Sequence, residues 1–248
     1  MDLVKTPLPT SAPARDTARS GNRRGARSGL SSQVVEEEFW VDSWAEGGSR
    51  TSFHLRRVHP HAELLAERVP LEGRVVLVPL CGKSVDLLFF AERAERVVGV
   101  ELVGRAVEEF FAENGLSPTE VDEGVFTAGN VTIRNQSLFD LGRGDLGRVD
   151  VVYDRAALIA FPEAMRGRYV AKILELAAPG TRYFLNTLEY RPALDSPPFS
   201  VGPEEVVGYY GEWFEIEHWV DEVQPGHRMV EKFGLEELRE HGFLLRRR

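Results

Sequence analysis

The stretch RVVLVPLCGKSVDLLFFAERAERVVGVELVG, Arg74–Gly104, decides the fold. Two short apolar runs rich in β-branched residues, Arg74–Pro79 and Arg96–Val100, have the length and composition of buried strands. Between them Ser84–Arg93 has helical spacing and opens on a serine suited to cap it. Strand, helix and strand at this spacing predict a parallel pair joined by a helical crossover.

Reading outward, the alternation continues. Upstream, Val35–Trp44 and Pro60–Arg68 are helix-like, the second with proline in its first turn. Downstream, Arg105–Asn114 puts Ala106, Val107, Phe110 and Phe111 on one helical face and stops at Gly115. Val131–Arg134, Val149–Tyr153 and Arg182–Leu188 read as further strands, with a helix over Pro162–Ala177. Glu204–Tyr210 is helical, and Trp213–Val220 and Phe243–Arg246 close the chain as strands. The pattern predicts an α/β fold with a doubly wound, mostly parallel, seven-stranded sheet covered on both faces. Ligands on such sheets bind outside the carboxyl ends of the strands. Attention therefore falls on Leu80–Ser84, Glu101, Ser137–Asp140, Asp154-Arg155 and Glu189-Tyr190.

The glycine turn in PLCGKS offers backbone N–H groups to an anion, or is merely a tight turn. It lacks the spacing of a Walker loop and of the GxGxxG fingerprint. Glu101 lies 19 residues past Gly82, the separation at which an acid after the second strand meets ribose hydroxyls. The two features together favour a nucleoside ligand. Asp154-Arg155 is a surface ion pair or part of a site.

Of 248 residues, 39 are acidic and 30 basic, a net charge of −9. That excess disfavours nucleic acid and a polybasic membrane anchor. No apolar run approaches the roughly 20 residues that span a bilayer. The single cysteine, Cys81, excludes an internal disulfide and suits a reducing, cytoplasmic setting. Histidines 54, 59, 61, 218, 227 and 241 show no metal spacing such as HExxH, so no metal is expected, and His59 and His61 read as solvent-facing. Residues 1–34 carry +4, leaving −13 for the remainder, and are rich in Ser, Pro, Ala and Gly. Such a leader has too little to bury and is expected to be disordered, ahead of one domain over residues 35–248.

Several segments carry a resemblance. VPLCGKSVDLLFFAERAERVVGVELVGRAVEEFFAENGL (Val78–Leu116), FWVDSW (Phe39–Trp44), TSFH (Thr51–His54), AGNVTIRNQSLFDL (Ala128–Leu141), VYDRAALIAFPEAMRGRY (Val152–Tyr169) and PPFSV (Pro197–Val201) are similar to the thiopurine S-methyltransferase family. The likeness runs in order from about residue 36 to the end. It implies a Rossmann-like class I methyltransferase with S-adenosyl-L-methionine as cofactor. Trp40, Trp44 and Phe53 would form an aromatic wall over the cofactor, Leu80 would meet its methionine part, Glu101 its ribose, and Ser137 and Leu138 its adenine side. Arg155 matches the arginine between cofactor and acceptor and is the candidate catalytic residue. Phe53, Arg155 and Arg228 would meet the acceptor. The segment AEGGSRTS, residues 45–52, is longer than the family's usual one and would reshape the acceptor mouth.

The expected activity is methylation of a small-molecule thiol or related soft anion by a monomer. The alternatives are a phenol, amine, or selenium or tellurium oxyanion acceptor, and a non-catalytic cofactor-binding protein. A thiol with pKa near 8.5 is partly ionised at neutral pH, so no strong base is required, and a nearby cation such as Arg155 raises the thiolate fraction.

Overall fold

The computed structural model describes residues 39–46 and 56–248. The leader, Phe53 and most of the AEGGSRTS segment lie outside the described residues. Residues 39–46 are helical (α1), followed by α2 (Pro60–Arg68), β1 (Val75–Pro79), α3 (Asp86–Ala91), β2 (Arg96–Glu101) and α4 (Gly104–Glu113). Next come β3 (Thr119–Asp122), β4 (Val125–Ala128), β5 (Val131–Asn135), α5 (Arg143–Leu146), β6 (Val151–Arg155) and α6 (Glu163–Leu176). The chain continues through β7 (Arg182–Arg191), α7 (Pro203–Tyr210), β8 (Phe214–Val223), α8 (Arg228–Phe233) and β9 (Glu237–Arg247).

The strands form one sheet in the order β3-β4-β5-β2-β1-β6-β7-β9-β8. Its centre, β5-β2-β1-β6-β7, is parallel, and β9 runs antiparallel between β7 and β8. The sequence reading of seven strands is corrected to nine, because β3 and β4 add an antiparallel hairpin beside β5. TEVD is exposed throughout and VFTA only half-buried, so neither carries the apolar signature of a central strand. Their pairing comes from the turn at Gly124, whose φ of +67° suits a residue without Cβ. Likewise β9 starts at Glu237, well upstream of the apolar residues that mark its end, because it is paired on both sides. The short helices α5 and α8 were not anticipated either.

Alternation along the central strands builds two cores. Val76, Val78 and Val97 face α2, α3 and α4 through Leu65, Leu87, Phe90, Val107 and Phe110. Val75, Leu77, Val98 and Val100 face α6 and α7 through Tyr169, Ile173, Val206 and Tyr210. Each fully buried large aliphatic side chain stabilises the fold by roughly 1.5–3 kcal/mol. At Gly99 a Cβ would lie 2.7 Å from the Cys81 sulfur, so β2 needs glycine there for the following turn to pack.

The chain runs outward from β1 to β5 on one side, then crosses to β6 and β7 on the other. The switch point thus lies between β1 and β6. Their parallel pairing covers only Val76↔Val151 and Leu77↔Val152, whereas β1 and β2 pair from Val75 to Pro79. The carboxyl ends of β1 and β6 therefore part, which is where a doubly wound sheet accepts its ligand.

Candidate active site at the switch point

The residues directly after the two parting strands, Leu80 and Ala156, have φ of +48° and +74°. These are the two non-glycine residues with positive φ among the described residues. Left-handed backbone at such residues costs of order 1–3 kcal/mol and clusters at ligand sites. Both turns are held by carboxylates. After β1, the buried Glu101 reaches across from β2: Oε2 accepts the Gly82 N–H at 2.8 Å and Oε1 accepts the Val103 N–H at 2.8 Å. Burial pushes its pKa up, and these two N–H groups pull against that. The Gly82 N–H is therefore committed inside the protein and is not offered to an anion. Lys83 is likewise turned to Glu109 and Glu113 of α4. Asn135, at the end of β5, donates to the Glu101 and Leu102 carbonyls and fixes the turn after β2.

The aromatic residues of α1 converge on this turn. Trp44 is buried against Val103 and Ala106, with Trp40 packed beside it. The structure thus brings together Trp40, Trp44, Leu80 and Glu101 around the carboxyl ends of β1 and β2. Ser137 and Leu138 follow β5, Ser137 preceding a single 3-10 turn over Leu138–Asp140 and Leu138 buried in the core.

Asp154 and Arg155 do not pair with each other. Asp154 is fully buried and accepts from the Tyr169 and Tyr183 hydroxyls, both at 2.6 Å, and from the Ala157 and Leu158 N–H groups. Arg155 points the other way, its Nε 3.4 Å from Asp86 Oδ2. Asp86 also accepts the His59 N–H at 2.9 Å and lies 3.4 Å from the Tyr153 hydroxyl. Arg155 pairs in register with Asn186 of β7, and Asn186 donates to Glu240 Oε1 at 3.1 Å. Arg228 is exposed at the first residue of α8.

His59 and His61, read from sequence as solvent-facing, are not. His61 is only 6% exposed, and His59 caps α2 through Nδ1, which accepts the His61 N–H. Their side chains lie 3.8 and 3.7 Å from Glu240 Oε1. Burial, with help from the Arg155 charge, lowers their pKa values to about 3 and about 4, so both are neutral at pH 7. The sequence reading missed Asp86, Asn186 and Glu240, which sit inside ordinary helix and strand patterns. The available signal is Pro60, which starts α2 and so makes His59 its N-cap and puts His61 in its first turn, on the face of Leu65.

Comparison with known proteins fixes the family. The thiopurine S-methyltransferase family profile matches residues 35–248. The chain belongs to this family. The Bordetella petrii thiopurine S-methyltransferase is 43% identical over 184 residues, 71% of this chain and 82% of that one. The Shewanella woodyi thiopurine S-methyltransferase is 42% identical over 195 residues, 74% of this chain and 85% of that one. Among solved structures, an S-adenosylmethionine-dependent methyltransferase from Anabaena variabilis superposes with a TM-score of 0.63 at 14% identity, covering 86% of this chain and 95% of that one. The 1,6-didemethyltoxoflavin N1-methyltransferase of Burkholderia thailandensis, solved with its substrate and S-adenosylhomocysteine, gives 0.54 at 18% identity, covering 94% of each chain. These two likenesses carry the fold. This member of the thiopurine S-methyltransferase family is thus an S-adenosylmethionine-dependent methyltransferase acting on a small-molecule acceptor. No helix among the described residues is long and apolar enough to cross a membrane.

Glu101 is the sharpest point at which to probe the cofactor. A carboxylate with each oxygen held by one N–H keeps lone pairs for two hydroxyls. Glu101→Gln should weaken S-adenosylmethionine binding by roughly 10- to 100-fold, the loss of about 1.5–3 kcal/mol for a hydrogen bond to a charged group. It should also lower stability, because its amide must face one of the two backbone N–H groups. Calorimetric titration and thermal melting read the two effects separately. Unchanged affinity would remove Glu101 from the cofactor site.

Proposed function

We propose that the chain methylates a small-molecule thiol in its ionised form, with Arg155 as the cation that draws the thiolate and orients it. The observation that carries this reading is the position of Arg155. It ends β6 at the switch point and is held by Asp86, while the nearest histidines, His59 and His61, are neutral. The names of the relatives make thiopurines the first acceptors to try.

The residues around the parting strands fit S-adenosylmethionine, because a buried, backbone-held acid and the aromatic side chains of α1 meet beside the ends of β1 and β2. Glu101 would hold its ribose, Trp40, Trp44 and Phe53 its sulfonium side, Leu80 its methionine part, and Ser137 and Leu138 its adenine. Aromatic faces attract cations by about 0.5–2 kcal/mol. When bound, this cofactor supplies an electrophilic methyl group on a positively charged sulfur. The protein's own work is alignment and exclusion of water. Arg155 lowers the pKa of an approaching thiol, so its proton leaves to solvent before reaction. Phe53 and Arg228 would complete the acceptor side. Residues 35–248 would carry the whole activity, as a cytoplasmic monomer without nucleic-acid partners, in keeping with their net charge of −13.

The test is kcat/KM against pH for a series of thiols and thiopurines, with selenite, tellurite, a phenol and an amine alongside. The rate should rise with each thiol's own pKa and then level off. Arg155→Lys keeps the charge but loses the planar fork, and should reduce kcat/KM by about tenfold or more, given the strength of bidentate charge-assisted bonds. A plateau common to all acceptors would indicate a protein base. Faster methylation of the phenol or amine would overturn the thiol reading and leave the cofactor reading standing.

A further inference from the structure

We propose that His59, His61 and Glu240 form a binding site for a divalent zinc-class metal ion. One ligand atom from each of the three lies within 4.8 Å of the others, although Glu240 is some 180 residues away in sequence. His61 Nδ1 is buried without a hydrogen-bond partner, 3.7 Å from Glu240 Oε1. A dry, unpartnered imidazole nitrogen facing a carboxylate is costly unless something bridges the two. Zinc bonds of about 2.0–2.2 Å place tetrahedral donors about 3.3–3.5 Å apart. The two histidine–Glu240 separations, 3.8 and 3.7 Å, need to shorten by only a few tenths of an ångström, while the two histidine rings, within 4.8 Å, need side-chain rotations of up to about 1.4 Å to close the set.

The surroundings suit a cation. Both histidines are neutral, so no proton competes for their lone pairs at pH 7. Glu240, with Glu222 near it, and Asp86 bring negative charge to the cluster, and of the two positive charges that act on His59, Arg155 and Arg57, Arg155 is already paired with Asp86. The Glu240 carboxylate is oriented from outside by Asn186 on Oε1 and Gln224 on Oε2, as second-shell donors orient a ligating carboxylate. Two histidines and one glutamate are a zinc donor set that leaves a fourth position for a small molecule. One rearrangement is required. His59 Nδ1 accepts the His61 N–H, so ligation through Nε2 moves the ring proton to Nδ1 and gives up that cap. This places the site among moderate-affinity centres rather than permanently loaded structural ones.

The experiment uses the full chain freed of metal with a chelator, then titrated calorimetrically with zinc chloride alone. One zinc ion per chain is expected to bind, and His61→Gln and Glu240→Gln should each weaken binding by about a hundredfold, as loss of a ligand exceeds the 10–100-fold typical of an outer-shell partner. His227→Gln, on α8, should bind as the parent does. Cobalt(II) in place of zinc should give tetrahedral visible bands without a thiolate charge-transfer band, separating this site from Cys81. Circular dichroism checks each variant, and if His61→Gln does not fold, Glu240→Gln decides. Absence of zinc binding, or equal binding by the parent and Glu240→Gln, overturns the proposal.

Discussion

Asp154→Ala is expected to unfold more readily than any single variant of the turn after β1, with the melting temperature lower by roughly 10–15 °C. Removing one member of a buried charged network costs about 3–5 kcal/mol, and a chain of this size loses about 2–4 °C per kcal/mol. The loss arises because four donors depend on this carboxylate: two tyrosine hydroxyls from α6 and β7, and the N–H groups of Ala157 and Leu158. Tyr183 keeps a second partner in Tyr210 at 3.1 Å, so its hydroxyl is the least dependent on the carboxylate. Burial pushes the Asp154 pKa up, and these donors pull against it. Tyr169→Phe should cost about 1.5–3 kcal/mol, the value of one hydrogen bond to a charged group and less than the loss of the carboxylate. Because the same carboxylate ties down the turn with left-handed Ala156, Asp154→Asn should also lose activity in excess of its loss of stability. Differential scanning calorimetry and kcat/KM below the melting range measure the two. A drop of less than about 1 kcal/mol for Asp154→Ala would show that the tyrosines find other acceptors.

The second large effect is acid sensitivity. His59 and His61 have folded pKa values of about 3 and about 4, against 6.5 in the unfolded chain. Between pH 6 and 4 the unfolded state binds their protons and the folded state does not. Stability from this source is complete above about pH 6.5 and falls as pH decreases, by about 1.4 kcal/mol per pH unit for each histidine. The pair should therefore remove roughly 2–3 kcal/mol per unit across that window. Urea unfolding of the metal-free chain from pH 7 to 4.5 measures the slope. The double variant His59→Gln/His61→Gln should be shallower by close to two protons. Parallel slopes for parent and variant would mean that the histidines reach water before unfolding.

The central fold was legible because β1 and β2 announce themselves: a strand buried on both faces must be apolar at nearly every residue, and Val75–Pro79 and Arg96–Val100 are. The place of Glu101 at the end of β2, beside the glycine turn, was legible for a related reason, since the distance from that turn to the end of the next strand is set by one crossover helix. The hairpin β3–β4 was hidden because its strands are stabilised by pairing with β5 rather than by burial. The partners of Asp154 and Arg155 were hidden for a geometric reason. Successive residues of a strand point to opposite faces, so neighbours in sequence enter different networks, one with Tyr169 and Tyr183 and the other with Asp86. The cluster of His59, His61 and Glu240 joins the second helix to the last strand, and no local spacing encodes that meeting.

Cys81, the chain's only cysteine, sits in the turn after β1 of a methyltransferase. Its sulfur is buried, donates to the Gly82 carbonyl at 3.6 Å, and has its pKa pushed well above the ordinary thiol range by burial and by the Glu101 charge. Nucleophilic attack belongs to the thiolate, and this thiol is kept protonated. It packs close against Gly99 in the same core cluster as Leu87. While folded, the enzyme is thereby expected to escape methylation of its own sulfur and to resist iodoacetamide and peroxide, which thiol labelling before and after unfolding would measure.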